Sequence, residues 1–248
     1  MIKFILHILL LGLVSLIFVN CEDEVNKEPP PARVVLVDKV PDTSAIEHGI
    51  DAAFNENRSD ENSIFLEWHS NSERTLTGYS VYRSEFPDKN FLSVGMITKV
   101  HDIIDTVFYD TSALLYQRYY YFVRAFDEFD QYGEPSDTVF YELIEHPILQ
   151  DPNPSNNSNA PVFRWEFRGT TPQFFIFRLL KKNIDGPYIP VYIKLLEISV
   201  EYGSLQEWPL SKLTSLNTLS SGMYIWRIDS YGDDFQGSES DWLDFIVP

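Results

Sequence analysis

The chain has 248 residues, is 44% hydrophobic and 15% aromatic, and carries 37 acidic against 19 basic side chains for a formal net charge of −18. That field repels phosphate backbones and anionic bilayer surfaces, which excludes nucleic-acid binding and makes acidity a solubility device before it is a partner signal. A single cysteine excludes disulfides and thiolate metal sites, so the folded part rests on its core, and the length suits one large or two ordinary domains of about 100 residues each.

The first element in chain order is a leader. Residues 1–3 supply one positive charge, and residues 4–19 are apolar apart from His7 and Ser15. The run has the length of a signal-peptide core and falls short of the roughly 20 residues a membrane-spanning helix needs. Cys21 stands where it ends. Behind it Glu22, Asp23 and Glu24 lead to Pro29, Pro30 and Pro31, so residues 21–31 form an acidic, proline-rich tether that cannot bury enough apolar surface to fold.

Residues 1–20 followed by Cys21 resemble a bacterial lipoprotein signal, in which the cysteine after the cleavage point receives acyl chains. The box reads Phe18, Val19, Asn20, Cys21. The family prefers an aliphatic residue where Phe18 stands and Gly, Ala or Ser where Asn20 stands. The resemblance implies acylation of Cys21, a membrane contact through that N-terminal lipid anchor, and an outer-membrane location in the cell envelope. The acidic residues after Cys21 resemble an export tag of surface lipoproteins; whether the surface or the periplasmic face is occupied stays open. An ordinary signal peptide, or an uncleaved anchor with Cys21 incidental, is the alternative.

From residue 32 onward, short runs rich in Val, Ile, Tyr, Phe and Trp alternate with period two between Gly, Pro, Asn, Asp and Ser clusters, and helical periodicity is almost absent. The expected class is all-β. A first strand is predicted near 34–37. Roughly 25 polar and acidic residues follow, long for a sandwich loop, with room for an extra turn or short strand around 46–54. Ile64, Leu66 and Trp68 then share one face, as do Tyr79 and Val81, and later Tyr119, Tyr121, Val123 and Ala125. After a join at 143–147 comes a Pro-, Asn- and Ser-rich connection at 151–160. Phe163, Trp165 and Phe167 alternate next, and Tyr224, Trp226 and Ile228 close the series.

The two halves match. Aligning Tyr119 with Tyr224 sets Leu114 over Leu219, Tyr121 over Trp226, Val123 over Ile228 and Ala125 over Ser230. Gly133, Ser136 and Asp137 recur as Gly237, Ser240 and Asp241, and Trp68 corresponds to Trp165. Landmarks in one order mark two copies of one plan. These residues resemble the fibronectin type III family, a sandwich of seven antiparallel strands. The resemblance implies two tandem antiparallel β-sandwiches, at 32–143 and 147–248. It places Trp68, Tyr119, Trp165, Tyr224 and Trp226 in the cores and makes Tyr119 and Tyr224 corner residues that bond back to the main chain. The second copy is looser: Ser230 replaces the usual Ala, and Gly78, Tyr79, Val81 and Tyr82 have no clear counterpart in 174–180. A related immunoglobulin-like topology stays open there.

Catalytic patterns are missing from this sequence. His48, His69, His101 and His146 are scattered without zinc spacing, and no nucleophile elbow, phosphate-cradling loop or dinucleotide fingerprint occurs. Acidic clusters at Asp102, Asp105 and Asp110, at Asp127, Glu128 and Asp130, and at Asp233 and Asp234 offer oxygen ligands for calcium but lack EF-hand spacing and read first as solvated loops, with calcium the alternative. No enzyme activity, cofactor or metal is expected. Alternation instead turns Tyr82, Tyr120, Phe122 and Phe126 outward, an aromatic patch suited to packing on the second domain, a protein partner or a sugar ring. The loops at 38–63 and 151–160 are further candidates for recognition. The reading is a non-catalytic, lipid-anchored envelope protein whose sandwiches act as spacer and protein-interaction or adhesion module, with another envelope protein as the expected partner. The alternative is a glycan-binding surface lipoprotein of a polysaccharide uptake system, and a third is an accessory to a hydrolase on another chain.

Overall fold

Period-two alternation with β-branched and aromatic residues on the buried side builds antiparallel sheets almost throughout. The computed structural model of the chain describes residues 28–54, 62–155, 158–170, 172–184, 186–232 and 235–248. The leader, Cys21, Asp233 and Asp234 lie outside the described residues.

The first sandwich contains β1 (Asp51–Phe54), β2 (Asn62–Glu67), β3 (Leu76–Ser84), β4 (Leu92–Thr98), β5 (Val107–Asp110), β6 (Arg118–Asp127) and β7 (Val139–Leu143). One sheet runs β1-β2-β5, and the other runs β4-β3-β6-β7. The second contains β8 (Ile148–Asp151), β9 (Val162–Glu166), β10 (Phe174–Lys182), β11 (Tyr188–Leu196), β12 (Leu205–Pro209), a one-turn helix α1 (Leu210–Leu213), β13 (Gly222–Tyr231), β14 (Gln236–Glu239) and β15 (Leu243–Val247). Its sheets run β8-β9-β12 and β11-β10-β13, with β14 and β15 pairing successive halves of β13 as one divided last strand. The plan is the same three-plus-four division, and β10 fills the third-strand position for which 174–180 gave no motif.

Two expectations about the first copy are corrected. Its first strand is split: residues 35–37 reach β2 through the Leu36–Trp68 bridge, with Val37 N–H donating to Glu67 O at 3.0 Å, and pairing resumes only at β1. Residues 38–50 are thus an insertion within a strand rather than a loop between strands. Gly49 closes it with φ +86°, where a Cβ would stand 2.5 Å from Lys39 N, so glycine is needed for both space and conformation.

The cores follow the alternation. Trp68, Tyr79, Tyr121 and Val123 fill the first, and Trp165, Phe163, Phe177 and Trp226 fill the second, all at 1% exposure or less. The sandwiches are not beads on a string. β7 and β14 pair in parallel, Glu142 with Gln236 and Leu143 with Gly237, which fuses their larger sheets into one of nine strands. Leu143 faces the first core, whereas Gly237 pairs with Tyr231 on the outer side of the second sandwich. The two smaller sheets therefore cover opposite faces of a shared sheet.

Candidate functional site

In the second sandwich, alternation turns Arg178 of β10 and Arg227 of β13 away from the core, onto the face that the first sandwich covers. Both are buried, at 2% and 4% exposure. The covering segment is the insertion 38–50. Arg178 Nε contacts Asp229 Oδ2 at 2.6 Å, its Nη2 contacts Glu47 Oε1 at 2.6 Å, and its guanidinium donates to the main-chain oxygens of Ser44 and Asp42. Arg227 Nη2 lies 2.7 Å from both Glu47 oxygens and 2.6 Å from Glu239 Oε1. Arg227 Nε and Asp229 Oδ1 are 2.8 Å apart but out of line for a hydrogen bond, so this is an ion contact only. A second knot adjoins: Lys39 Nζ sits 2.7 Å from Asp42 and 2.7 Å from Asp51, and the Tyr141 hydroxyl donates to Asp51 at 2.8 Å.

Glu47, Asp229 and Glu239 approach as three metal ligands would. The positive charge they surround is already supplied by Arg178 and Arg227, and two buried guanidiniums in that space make the cluster an interdomain clamp. Burial pushes Glu239 and Asp229 up despite Arg227 alongside. Burial pushes Asp51 up as well, against Lys39. Burial also acts on Glu47, but Arg227 and Arg178 together hold it below the usual carboxylate range. The seam gains further bonds: Asn62 Nδ2 donates to Glu239 O at 2.9 Å, the Glu239 N–H donates to Asn62 Oδ1 at 2.7 Å, and Gln236 Nε2 donates to Glu142 at 2.6 Å.

The outer face of the first sandwich carries aromatic rings instead. Tyr82 stacks on Phe122 with centroids 4.7 Å apart and planes 19° off parallel, and Phe91 lies 4.8 Å from Phe122. Two residues along β6, Tyr120 contacts Phe140 at 5.7 Å, and Phe140 meets Phe235 of the second sandwich at 5.2 Å. Arg118 lies over the Phe140 ring at 4.9 Å. Tyr82, Tyr120 and Phe122 are half-buried. Phe126 is on the same side of β6, but it does not reach solvent. It is 7% exposed, lying against Gly78 and 5.6 Å from Tyr132.

The remaining expected residues divide plainly. Trp68 and Trp165 take equivalent buried places. Trp226 is buried with its Nε1–H donating to Pro152 O at 2.9 Å, so the connection at 151–160 docks on the second core at that point. Tyr224 makes the corner, donating to Ser220 O at 2.9 Å. Tyr119 is arranged differently: its ring lies under the Arg83 guanidinium at 4.4 Å, and the neighbouring Tyr121 hydroxyl bonds Asp110 at 2.9 Å. Asp110 is no solvated loop residue. It is 3% exposed, paired with Arg83 at 2.7 Å, and although burial raises it, bonds from Ser112, Arg83 and Tyr121 bring it below the ordinary value. Asp127 accepts the N–H groups of Phe129 and Gln131 in a local turn, which occupies it structurally.

No family model matches the chain, and no curated protein does. Among solved structures, the crystal structure of the chicken CNTN1 FN1-FN3 domains is similar at a TM-score of 0.33 and 16% identity, covering 89% of this chain and 69% of that one. At that TM-score the likeness adds nothing to the strand order, which by itself defines the two sandwiches.

Proposed function

We propose that the chain is a non-catalytic envelope protein, anchored by lipid on Cys21, whose paired sandwiches serve as a rigid spacer and present a protein-docking face. The observation that carries this reading is the shared sheet sealed by the Arg178 and Arg227 clamp. A tandem joined by a loose linker transmits no orientation, whereas one joined by ladder hydrogen bonds and buried ion pairs holds a surface at a fixed height and angle. Its best-positioned ionisable groups are consumed in those contacts, which supports a structural role for them over a catalytic one.

The docking face is the aromatic row at Tyr82, Phe122 and Tyr120. Protein docking is favoured over sugar stacking because Tyr82, Phe122 and Phe91 pack into one cluster, in which Tyr82 and Phe122 each spend one ring face on the other. A photo-crosslinking phenylalanine analogue in place of Phe122, with one in place of the 94% exposed Ile184 as control, tests the face in whole cells. A discrete protein adduct from position 122 alone is expected, and identical adducts from both positions count against it. Cys21→Ser tests the anchor: the protein should leave the membrane fraction while its melting curve stays put. Retention in membranes would assign anchoring to the leader itself.

A further inference from the structure

A cavity of about 430 Å³ opens where residues 111–115, between β5 and β6, meet the interdomain connection. Its apolar wall is Ala113, Leu114, Leu115, Leu143 and Ile148, and across His146 and Ile148 it adjoins a second cavity of about 470 Å³. Leu114 is 65% exposed, while Leu219, its counterpart in the second sandwich, is 6% exposed in the core. The first copy has thus turned a core position outward to line a groove. Glu145 is set into this wall. Its main-chain oxygen is pinned by the hydroxyls of Ser230 at 2.8 Å and Ser238 at 2.6 Å, which fixes where the side chain starts. Its Oε2 is buried and accepts no hydrogen bond. Among the described residues no cation pairs with it, since Arg168 on the same rim is bonded to Glu166 at 2.5 and 3.2 Å. Burial pushes the Glu145 carboxyl up, opposed only by its own main-chain N–H.

We propose that this groove is a binding site for a small primary alkylammonium, with its aliphatic chain on Leu114, Leu115 and Ile148 and its ammonium on the Glu145 carboxylate. Glu145 lines the groove with no described cation paired to it, its Oε2 packed against Gly169, so an incoming ammonium gains an unshared carboxylate while its chain covers exposed leucine. The size lies in the roughly 300–1,000 Å³ range of small-molecule sites, which favour domain boundaries. Among the described residues that line this cavity there is no Phe, Tyr or Trp to form an aromatic cage for a quaternary ammonium, whereas a primary ammonium brings donors that a carboxylate accepts. The inference is independent of the docking face, which lies on other residues.

The test is calorimetric titration of the full chain with hexylammonium, hexanol, hexyltrimethylammonium and hexanoate. Hexylammonium should bind about tenfold more tightly than hexanol, a difference of about 1.4 kcal/mol. Hexyltrimethylammonium and hexanoate should bind more weakly than hexylammonium. Glu145→Gln should bring hexylammonium to the level of hexanol and leave hexanol unchanged. Leu114→Lys, a change at an exposed position, should abolish hexylammonium binding by supplying the groove with the chain's own ammonium, and it keeps the test open if the glutamine variant folds poorly. The proposal is overturned if hexylammonium shows no saturable binding, if hexanoate binds as tightly, or if neither variant alters its affinity.

Discussion

Phe122 and Arg227 occupy the same place in their respective sandwiches, each outward on the sixth strand, and each faces its cross-strand partner on the third, Tyr82 for Phe122 and Arg178 for Arg227. One copy keeps an aromatic surface there and the other an ionic one that the insertion 38–50 covers. Removing Arg227 should therefore be felt across the whole molecule. Arg227→Met strips Glu47, Asp229 and Glu239 of a shared cation inside the seam and should destabilise by about 3–5 kcal/mol, the usual cost of breaking a buried pair from one side. Urea unfolding checks this. In a double-mutant cycle, Glu47→Gln should cost much less once Arg227 is gone. Independent, additive effects would mean that the two groups do not share one site.

Gly237 gives a second handle on the seam. A Cβ there would stand 2.5 Å from the Tyr141 hydroxyl, which is itself committed to Asp51. Gly237→Ala should cost about 1–3 kcal/mol through overpacking, and Gly237→Ala with Tyr141→Phe should cost less than the sum. Thermal unfolding of the three variants decides it. An alanine that melts with the wild type would mean that β7 and β14 are not paired in this register.

Acidity should strengthen the protein before it weakens it. The clamp and its adjoining knot bring Asp42, Glu47, Asp51, Asp229 and Glu239 against Lys39, Arg178 and Arg227, so carboxylates outnumber cations. Glu239, Asp229 and Asp51 have folded values raised by burial, so the folded state holds protons that the unfolded chain, with Glu near 4.3 and Asp near 3.9, has already released. Stability should rise as pH falls from neutral toward the unfolded carboxyl values. Below about 4 the depressed carboxyls Asp110 and Glu47 reverse the trend, because their stabilisation is lost as pH falls through their folded values. Urea midpoints across this range should peak on the acid side of neutral, and Glu239→Gln should flatten the slope above the peak. A steady fall from neutral downward would refute the sign.

The two corner tyrosines should not respond alike. Tyr224→Phe removes the hydroxyl that donates to Ser220 O at 2.9 Å and should cost about 1 kcal/mol. Tyr119→Phe keeps the ring under Arg83, where the contact is with the ring face, and should cost less. Equal losses would show that both hydroxyls close the same corner.

Local chemistry made much of this legible from the sequence. Ser136 and Ser240 recur at one spacing, and their hydroxyls do the same thing: each accepts a main-chain N–H at 3.0 Å, from Val123 and Ile228, and donates to the oxygen of the following aspartate. Such a bond needs only the adjacent strand, so the motif carries it. Trp68 and Trp165 were legible for the same reason, because alternation alone decides which side they take. Arg178 and Arg227 were not. Arg178 lies in 174–180, where no strand motif was recognised, and Arg227 falls between the inward Trp226 and Ile228, a place that for arginine normally means wet, while the cover comes from a segment more than a hundred residues away in sequence. Phe126 failed similarly, since its solvent was removed by Tyr132 on the returning loop. The one available signal was a single aligned position, at which Arg227 of the second copy stands over Phe122 of the first.

Cooperativity is the last consequence of the shared sheet. Trp68→Ala and Trp165→Ala each empty a fully buried site and should each cost about 3–5 kcal/mol. Two sandwiches on a flexible linker would then melt separately, with each substitution moving only its own transition. Here β7 and β14 share ladder bonds and the clamp is buried, so neither half can unfold without exposing unpaired strand edges and stranded charges in the other. Calorimetry should show one transition in the unchanged chain and one transition, shifted down, in either variant. A pair of resolved peaks, with only the mutated sandwich displaced, would separate the halves energetically and remove the basis for a rigid spacer.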